Sequence, residues 1–186
     1  HEKDFVMRTE LRYQQRLNDH YQQMQQRATE LDALLLQHGI AREPLQTFLE
    51  LTASYQQTFN QLVSAQQRLG LTPEAGLMGE LRQTVQQLEE RFEQLNRDDL
   101  TVLVLQLRRA EKDFLLRKDL AYSERFAGIY TRLSQSLAAD PASKTLADSY
   151  NQRFMALVQA MQQIGLSETE GATGEMRAAI HSTETS

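Results

Sequence analysis

Leu81 to Phe114 reads LRQTVQQLEERFEQLNRDDLTVLVLQLRRAEKDF, and the spacing of its apolar residues decides the fold. Leu81, Val85, Leu88, Phe92 and Leu95 recur at intervals of four and three, which places them on one buried helix face. Continued at that spacing, the face would present Asp99, Val102, Gln106, Arg109 and Asp113, so it turns polar. A second stripe, Leu100, Leu103, Leu107, Ala110 and Phe114, takes over one residue out of phase. The spacing predicts one helix over about 77–138 that faces different partners along its length, with the change of partner at Asn96-Arg-Asp-Asp99. A helix of about 60 residues would run roughly 90 Å and could carry a displacement along its axis.

Gly and Pro place the other elements. A first helix runs from the start to about Gln37, ahead of Gly39 and Pro44, and a second from Leu45 to Leu69, ending at Gly70. Asp140-Pro141 ends the long helix, a fourth covers Lys144 to Ile164, and a fifth begins near Gly174. The chain of 186 residues has eight Gly and three Pro, and its 40% apolar content is thin for a globular core, which favours long helices over strands. The expected fold class is all-α: two stacked helical bundle modules sharing long helices, the first over 1–98 and the second over 99–186.

The chain is also built twice. His1-Glu-Lys-Asp-Phe5 matches Ala110-Glu-Lys-Asp-Phe114, 109 positions on. Tyr55 and Phe59 match Tyr150 and Phe154, Gly70-Leu71 matches Gly165-Leu166, and Gly79-Glu80-Leu81-Arg82 matches Gly174-Glu175-Met176-Arg177, all 95 positions on. The two offsets differ by 14, two heptads, so a hairpin of the first copy should be longer by about two turns per arm with its packing phase intact.

The net charge of −5 is spread along the chain without a basic stripe, so backbone-driven nucleic-acid binding is set aside. With no Cys there is no disulfide, thiolate metal site or Cys nucleophile. His20, His38 and His181 each have an apolar residue three places earlier, which removes the Glu-x-x-His signature of di-iron bundles, and no phosphate-binding Gly-rich loop occurs. The chain reads as a binding module that is not an enzyme and uses no cofactor. It starts at His1 inside a helical pattern, without Met, and is read as a fragment of a longer protein.

Leu107-Arg-Arg-Ala-Glu-Lys-Asp-Phe-Leu-Leu-Arg117, together with the two Gly-Leu-x4-Gly-x2-Gly-Glu-x-Arg segments that begin at Gly70 and Gly165, resembles the helical bimodular sensor domain of methyl-accepting chemotaxis proteins and some sensor kinases. The resemblance runs over nearly the whole chain. It implies two helical bundles in the periplasm between transmembrane helices, a homodimer in the full receptor, and recognition of small organic acids such as tricarboxylic-acid-cycle intermediates or acetate. It also implies that an anion sits between helices, held by arginines that include one in the Gly-Glu-x-Arg segment with a His four residues on. Here these are Arg177 and His181, whereas the first copy has Arg82 with Gln86, so its site should be weaker; further contacts are expected from a helix ahead of His1.

Arginine suits a carboxylate because its planar fork donates two parallel hydrogen bonds and stays charged. Arg177, His181, Arg109 and Arg108 are therefore the candidate ligand-binding residues, with Arg82, Tyr150 and Tyr55 for a possible second site. Each has a plainer reading as a solvated side chain or, for the tyrosines, as core. Arg109 is the more suggestive of the adjacent arginines, because the Leu81 stripe would carry it inward. Glu111, Lys112, Asp113 and Arg117, and likewise Glu2, Lys3, Asp4 and Arg8, read as helical ion-pair networks. Three functions compete: a receptor module moved by an anion, a sensor-kinase input domain that docks a periplasmic binding protein, and a structural coiled coil. An exposed apolar patch at a hairpin tip would favour the second.

Overall fold

The structure is a computed structural model that describes Phe5 and residues 8–184, with side chains followed to His181; Glu2, Lys3 and Asp4 lie outside the described residues. The described residues form seven helices and no strand: α1 Arg12–Gln37, α2 Glu43–Leu69, α3 Gly76–Gln94, α4 Asp98–Arg117, α5 Leu120–Ser136, α6 Pro141–Ile164 and α7 Gly171–Glu184. The fold is all-α. Among the described residues no helix is long and apolar enough to cross a membrane.

The single long helix expected over 77–138 is three helices. The first break follows Gln94, where Asn96 takes a left-handed conformation at φ 52°. The Asn96 amide then donates to the Glu93 carbonyl and the Arg97 amide to that of Phe92, each at 3.0 Å, the paired bonds that close a helix end. Asn tolerates that conformation better than other side chains, and Asp98 and Asp99 then suit the positive N-terminus of α4. The second break is at Lys118, φ 53°, whose amide donates to the Phe114 carbonyl at 2.7 Å, and Asp119 caps α5 by accepting from the Ala121 amide at 2.9 Å. Neither break contains Gly or Pro.

The chain divides into two compact units, one of His1–Gln66 with Gln163–Ser186 and the other of Gln67–Gln162, so the packed units do not follow the division at 98/99. In the second, α3 and α4 are an antiparallel hairpin joined by Arg108 to Glu89 at 2.8 Å. Glu80 and Arg91 of α3 meet Arg153 of α6 and Asp140 just ahead of it, so those two helices are also antiparallel. Tyr130 to Asp148 ties α5 antiparallel to α6 at 2.7 Å, whereas Glu111 and Phe114 of α4 meet Tyr150 and Phe154 in parallel register. The result is an up-down-up-down four-helix bundle. Both stripes of the deciding segment are buried in it, Leu81, Val85, Leu88 and Phe92 from α3 and Leu100, Leu103, Leu107, Ala110 and Phe114 from α4. The one-residue phase shift marks a reversal of the chain within one bundle.

The first unit packs Phe5, Tyr13, Phe59, Leu62, Val63, Ala172 and Met176 into one cluster, with Leu17 and Tyr55 against it. Gln14 to Asn60 and Gln56 to Asn18, each 3.0 Å, set α1 and α2 antiparallel. The two sequence copies build the same local geometry. Phe5 meets Phe59 edge to face at 5.7 Å and Phe114 meets Phe154 at 5.8 Å. Thr9 repeats the left-handed φ of 53° found at Lys118. Gly70 and Gly165 have φ of 118° and 119°, where a Cβ would lie 2.0 and 2.1 Å from the carbonyl oxygens of Ala75 and Glu170. Only glycine fits both the dihedral and the space. The first hairpin is the longer, as the offsets require: α1 has 26 residues and α5 has 17. At its outer end Leu31, Leu34, Leu36, Ile40 and Phe48 are exposed.

Candidate functional site

The α3 and α4 hairpin encloses a cleft of 240 Å³ in the second unit, floored by Leu81, Val85, Leu115 and Leu157 and bordered by Arg82, Arg108, Lys112 and Glu111. Arg82 reaches it from α3, one residue beyond the buried Leu81. Arg108 stands one residue beyond the buried Leu107 and Glu111 one residue beyond the buried Ala110, one helical turn apart at the edge of the α4 core stripe. Residue spacing on two antiparallel helices thus brings three cations and one acid around an apolar floor.

Arg82, Arg108 and Glu111 each have a partner. Arg108 donates to Glu89 at 2.8 Å, which raises its pKa further and holds the guanidinium against α3. Arg82 pairs with Glu74 on the glycine-bounded turn ahead of α3, and both are exposed. Glu111 accepts the Tyr150 hydroxyl hydrogen at 2.5 Å. Burial pushes the Glu111 carboxyl above the ordinary glutamate range, against the lowering pull of that hydrogen bond, Arg108 and Lys112. Burial and the facing Glu111 likewise push the Tyr150 hydroxyl up, so it remains a donor. Among the described residues no group of three His, Asp or Glu is placed to hold a metal.

The structure brings together Arg108 and Arg82, with Tyr150 one hydrogen bond away through Glu111. Tyr55, the repeat counterpart of Tyr150, packs on the core cluster of the other unit. Arg109, expected to face inward, is exposed, because the Leu81 stripe ends with α3 and α4 starts a new phase. It lies on a shallow surface groove with Leu105, Arg108, Lys112 and Asp113. Arg177 and His181 share a face of α7 in the first unit and are exposed; Arg177 pairs with Glu168, one turn-segment carboxylate as Glu74 is for Arg82.

Glu111 and Lys112 are the residues that the sequence reading misplaced. They read as a local ion-pair network with Asp113 and Arg117, yet Glu111 turns to Tyr150 and Arg117 stacks over the Tyr122 ring, 5.6 Å from its centroid. The available signal was the position of Glu111, four residues after Leu107 and three before Phe114, which sets a carboxylate on the border of a buried stripe. Comparison with protein-family models, with curated proteins and with solved structures returns no match to this chain.

Proposed function

We propose that the chain is a ligand-binding input module that recognises a small organic anion in the cleft between α3 and α4. The observation that carries the reading is the convergence of Arg82, Arg108 and Lys112 on an apolar-floored cleft of 240 Å³. Guanidinium forks grip carboxylates in paired hydrogen bonds, while the apolar floor excludes water and strengthens those bonds. With the motif resemblance, the reading extends to a non-catalytic periplasmic sensor domain of a bacterial transmembrane chemoreceptor, homodimeric in the full receptor, with two modules stacked end to end. An anion bridging Arg82 on α3 and Arg108 on α4 would draw the arms of one hairpin together, in place of displacement along an unbroken helix. A thermal-shift screen with malate, succinate, citrate and acetate tests it, since a ligand at 100 times its dissociation constant adds ~2.7 kcal/mol of stability.

A second reading is favoured by the outer end of the α1 and α2 hairpin, where Leu31, Leu34, Leu36, Ile40 and Phe48 are exposed. Under it the module docks a periplasmic binding protein at that tip, as a sensor-kinase input domain. No thermal shift with any of the four acids would favour this reading over the first.

A further inference from the structure

We infer that the α3 and α4 cleft takes up its anion together with one proton, and that Glu111 receives the proton. This rests on the reading of the cleft as an anion site and adds a regulation that the reading does not contain.

The charges at the cleft nearly cancel before any ligand enters. Arg82 is matched by Glu74 and Arg108 by Glu89, and Lys112 stands next to Glu111 along α4. Glu74 is exposed and can release Arg82 to an incoming anion by swinging into water. Glu111 has no such freedom. It is the one acidic side chain among the described residues that line the cleft, and Tyr150 holds it there. The groups acting on it are Arg108 and Lys112 on α4 and Tyr150 on α6; α3 adds Arg82 across the cleft and Glu89 through Arg108. Arg108 stays committed to Glu89 and Tyr150 to Glu111, so the Glu111 carboxylate stays in the lining when an anion takes up Arg82.

An anion in this space therefore meets a fixed, half-buried carboxylate, and two such charges side by side cannot both stay ionised at low cost. Neutralising Glu111 removes the repulsion and creates a hydroxyl that can donate to the anion. Its carboxyl is predisposed to this, since burial already holds it above the usual glutamate range. By linkage, the affinity for the anion then rises as pH falls, by about tenfold per pH unit between the proton affinities of the free and occupied cleft.

The test is calorimetric titration of the full chain with acetate, succinate, malate and citrate at pH 7, each in two buffers of different ionisation enthalpy. The expected result is a buffer-dependent heat that corresponds to uptake of about one proton per anion beyond any taken up by the acid itself. Glu111→Gln keeps an acceptor for Tyr150, and should bind with no excess proton uptake and with affinity flat in pH. Equal heats in both buffers for the wild-type chain would overturn the inference while leaving the anion site standing. Absence of binding by all four acids would overturn the site and the inference with it. If Glu111→Gln does not fold, the wild-type comparison between buffers still decides.

Discussion

Tyr150 on α6 donates its hydroxyl hydrogen to Glu111 on α4 across 2.5 Å, tying two parallel helices of one bundle through a half-buried carboxylate. Glu111 titrates above its ordinary range in the folded chain, so the folded state holds its proton more tightly than the unfolded state does. Its contribution to stability is greatest below the unfolded glutamate pKa and is lost as pH rises through the folded one. Glu111→Gln should therefore raise the thermal midpoint at pH 7 and have much less effect near pH 4. A constant difference across that range, read by circular dichroism melts, would show that the carboxyl is solvated.

Asp140 carries the opposite sign. Hydrogen bonds from the Ser143 hydroxyl and amide, with further help from Arg91, hold its carboxyl down to about 2. Its contribution is present above the ordinary aspartate pKa and is lost as pH falls toward 2. The thermal midpoint of Asp140→Asn should lie below that of the wild-type chain at pH 6, and the two should converge as pH approaches 2.

Lys118→Gly discriminates between the broken and the continuous helix. At φ 53° a lysine Cβ is crowded, so glycine should stabilise the chain by about 1 kcal/mol. Inside an unbroken helix the same substitution would destabilise by a few tenths of a kcal/mol or more, so the sign of the change in a urea titration decides.

Phe114, Phe126 and Phe154 converge in the second bundle: Phe154 stacks on Phe126 at 4.0 Å and meets Phe114 at 5.8 Å, and all three are fully buried. Phe154→Ala should cost ~3–5 kcal/mol. Phe59→Ala, its counterpart in the first unit, should fall in the same range because it loses the equivalent edge-to-face contact with Phe5. Denaturant unfolding of both variants measures this, and a loss below about 1 kcal/mol at either site would show that the repeat does not build two equivalent cores.

Much of the fold was legible because it depends on local pattern. The limits of α2 and the ends of α1 and α6 follow Gly39, Gly70 and Gly165, and the matched glycine turns and Phe pairs follow from the repeat. The two breaks in the long helix were not, because Asn96 and Lys118 carry out with ordinary side chains what Gly or Pro would announce. That error propagated to the site. Reading α3 and α4 as one helix sent Arg109 inward, whereas the turn at 95–97 folds α4 back and brings Arg108 and Glu111 against Arg82. Which charges converge depends on the reversal of the chain, and spacing along a single helix does not contain it.

The anion site is tested most directly by calorimetric titration of succinate, malate, citrate and acetate into the wild-type chain, Arg108→Gln and Arg177→Gln, each with helicity checked. Arg108 sits at the cleft and Arg177 is an exposed residue of the other unit. At least one acid should bind the wild-type chain, Arg108→Gln should weaken it at least about tenfold, and Arg177→Gln should leave it unchanged. Binding that survives Arg108→Gln and is lost with Arg177→Gln would rule out an anion site in the α3 and α4 cleft, as would the absence of binding by any of the four acids.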